Sequence, residues 1–198
     1  MTEKPIRIVV VAGSVRPDNF TAKALPIVAD EIVGSDDATV DVVDLNEVQL
    51  PLSGQAVSSD VKALWEQFAA ATEIVLATPE YHGSFRSVIK LLIDNLGFPS
   101  VLSGKPIALL GVAAGQIGAI KTLEHLRCVY SHVGAVVLPG HVSVVSVQRL
   151  FDDDGKCLDE SVEKRVRGLA TICWIPSADR PVCAWRWKKP RGAVRYNR

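Results

Sequence analysis

Three stretches hold residues whose types and spacing suit a small ligand with an anionic end and a flat end. The first is Gly13-Ser14-Val15-Arg16-Pro17-Asp18-Asn19-Phe20-Thr21. It offers two hydroxyls (Ser14 and Thr21), the Asn19 amide, the Arg16 guanidinium and the backbone N–H groups of a helix start. A phosphate monoester would gain both the helix N-terminus and a bidentate arginine partner there. No Gly-Lys-Ser/Thr follows, so this is not a nucleoside-triphosphate loop. One glycine stands where a dinucleotide fingerprint needs three. The second stretch, Ala77-Thr78-Pro79-Glu80-Tyr81-His82-Gly83-Ser84, offers main-chain donors and the flat side chains of Tyr81 and His82, suited to the edge of a planar heterocycle. Glu80 has the type of a catalytic carboxylate, but a surface or interface position accounts for it as well. The third, Gly115-Gln116-Ile117-Gly118, lets backbone approach a ligand closely or lets a helix pack tightly on a strand.

These stretches are positioned by alternating strands and helices. Arg7 to Ala12, Thr39 to Leu45, Ile74 to Ala77 and Lys105 to Val112 read as strands rich in Val, Ile and Leu. Gly134 to Leu138 and Val142 to Val147 supply the last strand material, interrupted by Pro139-Gly140. Apolar residues at steps of three and four mark the helices. They are Leu25, Val28, Ala29 and Ile32; Val61, Leu64, Trp65 and Phe68; Phe85, Val88, Ile89, Leu92, Ile93 and Leu96; Ile120, Leu123, Leu126, Tyr130 and Val133; and Val162, Val166, Leu169 with Ile172 or Cys173. With Thr21 as the cap of the first helix, Pro26 falls past its first turn and should kink it. Ser84 is placed to cap the third helix. Strands alternating with helices predict an α/β chain with a parallel sheet covered on both faces. All three stretches then lie at the carboxyl edge of the sheet, where such proteins bind ligands.

The 198 residues form one domain over 1–175, with a basic, Trp-containing tail over 176–198. The tail holds seven Lys/Arg against one acid, so formal charge divides as +6 in the tail and −6 in the body of a chain that is neutral overall. An arm that wraps a neighbouring subunit is one reading of the tail, a disordered extension another. Nucleic acid and membrane insertion are not expected as partners. Cys128, Cys157, Cys173 and Cys183 form no CxxC pair, and His82, His125, His132 and His141 form no metal-ligand spacing. A reduced, cytoplasmic chain without a dedicated metal site is expected. The N-terminal sequence carries no signal-peptide pattern.

Taken together, Gly13-Ser14-Val15-Arg16, Thr78-Pro79-Glu80-Tyr81-His82-Gly83-Ser84, and Gly104-Lys105-Pro106 leading to Gly115-Gln116-Ile117-Gly118 resemble the NADPH-dependent FMN reductase family, which includes bacterial azo, chromate and quinone reductases. The resemblance spans roughly Ile6 to Ile175. It implies a flavodoxin-like three-layer sandwich with a five-stranded parallel sheet of order 2-1-3-4-5, bound FMN, and NADPH or NADH as co-substrate. A homodimer or homotetramer is also implied. Ser14, Arg16 and Thr21 would hold the FMN phosphate, with Asn19 and Phe20 from the same loop. Pro79, Glu80, Tyr81, His82, Gly83 and Ser84 would line the isoalloxazine, largely through main chain, and Gly115, Gln116 and Gly118 would approach from the third loop. Asn19, Thr21, His82 and Ala113 depart from the residues common in the family. The activity implied is hydride transfer from NAD(P)H to flavin N5 and then to a quinone, flavin, azo compound or other small acceptor in a ping-pong cycle. FMN carries the chemistry, so no side chain is singled out as catalytic. The alternative is a flavodoxin-like electron carrier that binds FMN without efficient NAD(P)H oxidation.

Overall fold

The computed structural model describes residues 6–34 and 38–173. The basic tail over 176–198 lies outside the described residues, as do the side chains of Ile172 and Cys173. Strand β1 (Ile6–Ala12) leads to helix α1 (Phe20–Val33), β2 (Ala38–Asp44), α2 (Ser59–Ala70), β3 (Glu73–Pro79), α3 (Ser87–Asn95), β4 (Pro106–Val112) and α4 (Ile120–His132). Two short strands follow, β5 (Val136–Val137) and β6 (Val142–Val144), then a 3-10 turn at Val147–Arg149 and α5 (Glu160–Cys173). Every pairing is parallel and the order is β2-β1-β3-β4-β5. Strand β6 also pairs β4, through Leu110–Val112, above the Pro106–Ile107 stretch that pairs β5. The two short strands therefore share the fifth position, divided by Pro139-Gly140. This is the flavodoxin-like 2-1-3-4-5 arrangement expected from the sequence.

The period of two along each central strand divides the core into halves. Ile8, Val10 and Ala12 of β1 face α1 and α5, as do Val75 and Ala77 of β3 and Ala108 and Leu110 of β4. Val9, Val11, Ile74, Leu76, Ile107 and Leu109 face α2, α3 and α4. Each central strand is buried on both faces, which is why these runs read as continuously apolar. Strand β2 is an edge strand, half exposed along most of its length.

Several local expectations are corrected. Asn19, not Thr21, caps α1: its side-chain oxygen accepts from Ala22 N–H at 2.8 Å. Thr21 is the second helical residue, and α1 runs on through Pro26, which faces solvent, where water can satisfy the carbonyl left without a donor. Ser84 does not cap α3, which begins at Ser87 with no side-chain cap. Trp65 leaves the core face of α2. It is 42% exposed and its Nε1–H donates to Asn95 O at 3.1 Å, because an indole N–H seeks a partner that the apolar interior lacks. The last strand ends at Val144, where its partner β4 ends at Val112. Ser146 then takes a left-handed φ of 46°, and Val147 turns back into the core.

Candidate functional site

The loops after β1, β3 and β4 meet at the carboxyl edge of the sheet, as the parallel order requires, and the segment after β6 joins them. They enclose a cavity of about 560 Å³. Arg16, Pro17, Asp18, Asn19, Phe20 and Thr21 form one wall, Pro79, Glu80 and Tyr81 another, and Val112, Ala113 and Ala114 a third; Val147 and Gln148 complete it. The volume lies within the range of roughly 300–1,000 Å³ that holds small ligands and cofactors. The cavity spans β1 and β3, the point where the strand order reverses.

The first wall is held by Gly13. Its N–H donates to Ala77 O at 2.8 Å, and a Cβ there would lie 2.5 Å from that oxygen and 2.7 Å from Ile89 Cδ1. The loop therefore leaves β1 pressed against β3. Asn19 closes it: Nδ2 donates to Arg16 O at 2.7 Å while the oxygen caps α1. Both ends of the amide thus shape the loop. Three groups are left for a ligand. The Thr21 hydroxyl oxygen is buried without a hydrogen-bond partner. The N–H groups of Phe20 and Thr21, in the first turn of α1, have no intrahelical acceptor by helix geometry. The exposed Arg16 makes no ion pair among the described residues. Together they form a donor set with positive potential, which fits a phosphate group. Phe20 stands at the rim, its ring 6.4 Å from that of Phe151. Ser14 is buried beneath the loop and does not line the cavity; its Oγ accepts from Arg16 N–H at 3.5 Å, the limit of a hydrogen bond.

The second wall is a tight hairpin. Tyr81 and Ser84 exchange backbone hydrogen bonds of 2.9 and 3.0 Å, with His82 and Gly83 at φ 51° and 73°. Positive φ at both central positions defines a type I′ turn, easy for glycine and unusual for His82. Ser84 Oγ meets His125 Nδ1 at 3.1 Å instead of capping α3. Glu80 is anchored by α4, its Oε2 accepting from Thr122 N–H at 3.2 Å. That contact satisfies a first-turn N–H of α4 and places a carboxylate at the positive helix end. Glu80 thus fixes the hairpin to α4 while lining the cavity. His82, Gly83 and Ser84 lie beyond the cavity wall.

Gly115, Gln116 and Gly118 also lie outside the wall. Gly118 is used for packing: a Cβ there would fall 2.4 Å from Ser143 Oγ. Ser143 Oγ in turn accepts from the N–H of Ala119, the residue before α4, at 2.9 Å. Val147 and Gln148 were not expected at the site. The rule that every parallel strand delivers its following loop to the same edge could have found them. Among the described residues, no group of three His, Cys, Asp or Glu side chains is arranged to hold a metal. Burial raises the Tyr130 hydroxyl and lowers the Lys105 ammonium, and neither residue lines the cavity.

A parallel sheet of this order, with a closed loop after β1 and a fixed hairpin after β3, is a flavodoxin-like fold. Residues 6–149 match the NADPH-dependent FMN reductase family, and the chain belongs to it as an oxidoreductase. It is 30% identical over 173 residues to an NAD(P)H-dependent FMN reductase of Pseudomonas aeruginosa, covering 82% of this chain and 90% of that one. It is 30% identical over 167 residues to a 2-hydroxy-1,4-benzoquinone reductase of a Burkholderia species, covering 80% and 89%. The fold matches that of FerB, a flavoenzyme NAD(P)H:(acceptor) oxidoreductase from Paracoccus denitrificans, with a TM-score of 0.73 at 21% identity, covering 85% of this chain and 96% of that one. No described helix is long and apolar enough to cross a membrane.

Proposed function

We propose that the protein is an FMN-containing reductase that uses NAD(P)H to reduce small acceptors, quinones first among them. The observation that carries this reading is the donor set of the first wall: the unpartnered Thr21 hydroxyl, the first-turn N–H groups of α1 and the unpaired Arg16. When bound, FMN supplies the ring that takes hydride from NAD(P)H at N5 and returns it to the acceptor. The chain binds and orients. Arg16, Thr21 and the start of α1 hold the phosphate. Asn19 and Gly13 keep that loop in shape. The Glu80 anchor and the His82-Gly83 turn hold main chain and the Tyr81 ring against the flat end. Ala113 and Ala114 leave that end open to the co-substrate. The Burkholderia relative is named for a benzoquinone, which makes a quinone the first acceptor to try.

The test is spectroscopic. Purified protein is expected to absorb near roughly 450 nm, as protein-bound flavins do, and to bleach on anaerobic addition of NADPH. A quinone added next restores the band. Initial rates at several quinone concentrations are expected to give parallel double-reciprocal lines. A flavin that binds but does not bleach would mean an electron carrier, and protein that takes up no FMN would refute the site assignment.

A further inference from the structure

Gln148 lines the cavity from a segment that is fixed on both sides. Strand β6 ends at Val144, and the chain then binds the third loop: Ser146 N–H donates to Gly115 O at 3.3 Å and Val147 N–H to Ala113 O at 3.1 Å. Val147 itself is buried. The 3-10 turn that carries Gln148 is closed by Arg149 N–H on Ser146 O at 3.0 Å and by Leu150 N–H on Val147 O at 3.1 Å. Beyond it, the buried Phe151 packs near Phe20, and Lys23 Nζ donates to Asp152 O at 2.7 Å, which ties the segment to α1. The backbone at Gln148 is thus held in place, while its exposed side chain makes no hydrogen bond among the described residues.

Much of the main chain on the neighbouring walls is already engaged. Pro79 has no N–H. Glu80 N–H donates to Val112 O at 3.1 Å, and Tyr81 exchanges its N–H and carbonyl with Ser84. Ala113 N–H donates to Val144 O at 2.9 Å, and its carbonyl accepts from Val147. The Glu80 carboxylate is held by Thr122 N–H, and Ala113 and Ala114 offer only methyl groups. Two carboxamides line the cavity. Asn19 uses both ends of its amide on its own loop, and Gln148 uses neither. A carboxamide presents a donor and an acceptor side by side. The Tyr81 hydroxyl presents a single oxygen.

We infer that Gln148 binds the imide edge of the flavin ring, its oxygen accepting from the ring N3–H and its nitrogen donating to an adjacent ring carbonyl. The inference rests on the FMN reading above. On that reading the first wall is committed to the phosphate, so the flat end of FMN falls to the second and third walls. The imide edge is the polar side of that flat end, a donor flanked by two carbonyl acceptors. Taken out of water without partners, those groups would weaken binding. The Gln148 carboxamide is the side chain on these walls that matches a donor and an acceptor together, and its turn is already rigid, so little freedom is lost when it binds.

The experiment compares two ligands on three proteins. FMN and N3-methyl-FMN, which carries a methyl in place of the N3 proton, are titrated into wild type, Gln148→Leu and Gln148→Glu, and binding is read by quenching of flavin fluorescence. Wild type is expected to bind FMN about tenfold more tightly than N3-methyl-FMN, the worth of one or two neutral hydrogen bonds. Gln148→Leu, a substitution at an exposed position, is expected to weaken FMN by about the same factor and to bring the two ligands within about threefold of each other. Gln148→Glu keeps an acceptor for N3–H and is expected to keep a preference for FMN. Equal binding of the two ligands by wild type, or a preference that Gln148→Leu leaves in place, overturns the inference while the FMN reading stands. Wild type that takes up neither ligand overturns both.

Discussion

Replacing Thr21 by valine is expected to stabilise the flavin-free protein while weakening its hold on FMN. The two opposite signs follow from one atom. Thr21 is fully buried in the first turn of α1, and its hydroxyl has no partner. An unsatisfied buried hydroxyl costs about 1–3 kcal/mol, which a methyl of similar shape removes, and valine and threonine differ little in helix propensity. Taking about 2 kcal/mol, the apoprotein should melt roughly 4–8 °C higher, at 2–4 °C per kcal/mol for a chain of this size. On the proposed reading, the same hydroxyl donates to a phosphate oxygen in the loaded protein. A hydrogen bond to a charged acceptor is worth about 1.5–3 kcal/mol, so the FMN Kd should rise roughly 10- to 150-fold. Melting of apoprotein by circular dichroism and titration of FMN by fluorescence quenching read the two effects separately. Thr21→Ser keeps the donor and is expected to keep most of the affinity. A Kd that Thr21→Val leaves within about twofold would take the hydroxyl off the phosphate, and an apoprotein that melts lower would mean that the hydroxyl is not unsatisfied.

Further outcomes follow from the site and from the core beneath it. Gly13→Ala sets a Cβ against Ala77 O and Ile89, both fully buried. Overpacking of about 1–3 kcal/mol and a strained backbone hydrogen bond outweigh the 0.4–1 kcal/mol that alanine gains by restricting the unfolded chain, so urea melts should show a net loss of about 2 kcal/mol together with lost flavin. Arg16→Ala removes an exposed side chain and is expected to leave stability within about 0.5 kcal/mol while raising the FMN Kd or the KM for NADPH. Glu80→Ala strips the acceptor from Thr122 N–H and should cost about 1 kcal/mol, read as a Tm lower by roughly 2–4 °C, with a further loss of flavin as the hairpin loosens. Lys105 donates to Ala69 O and Ala71 O, and burial lowers its pKa. Its folded pKa lies below the unfolded value of about 10.4, so the burial cost is present in full below the folded pKa. It is relieved as pH rises through that value toward the unfolded one. Compared with Lys105→Gln, wild type should therefore gain stability in that window, and a loss there would contradict the assignment.

The strands and the faces of the helices were legible because burial on two sides imposes continuous apolar runs and burial on one side imposes a period of 3.6. Arg16 and Thr21 were singled out for a similar reason: their types and their place at a helix start suit an anion without reference to distant residues. What failed depended on choices between neighbours or on contacts far apart in sequence. Asn19 and Thr21 can each cap a helix, and the pairing of Asn19 with Arg16 O and Ala22 N–H decides between them. Ser84 was free to cap α3 until the type I′ turn aimed it at His125, 41 residues away. The anchoring of Glu80 by Thr122 spans 42 residues and leaves no local trace. Gly118 left two readings open, since a glycine required by Ser143 and one required by a cofactor read alike.

A crystal structure with FMN bound would show directly whether the loop after β1 and the start of α1 hold the phosphate. The phosphate is expected against the first turn of α1, within hydrogen-bond distance of the Thr21 hydroxyl and the N–H groups of Phe20 and Thr21, with Arg16 turned onto it and the flat end beside Tyr81. A phosphate seated away from α1, or an FMN outside the cavity between the β1 and β3 loops, would contradict it.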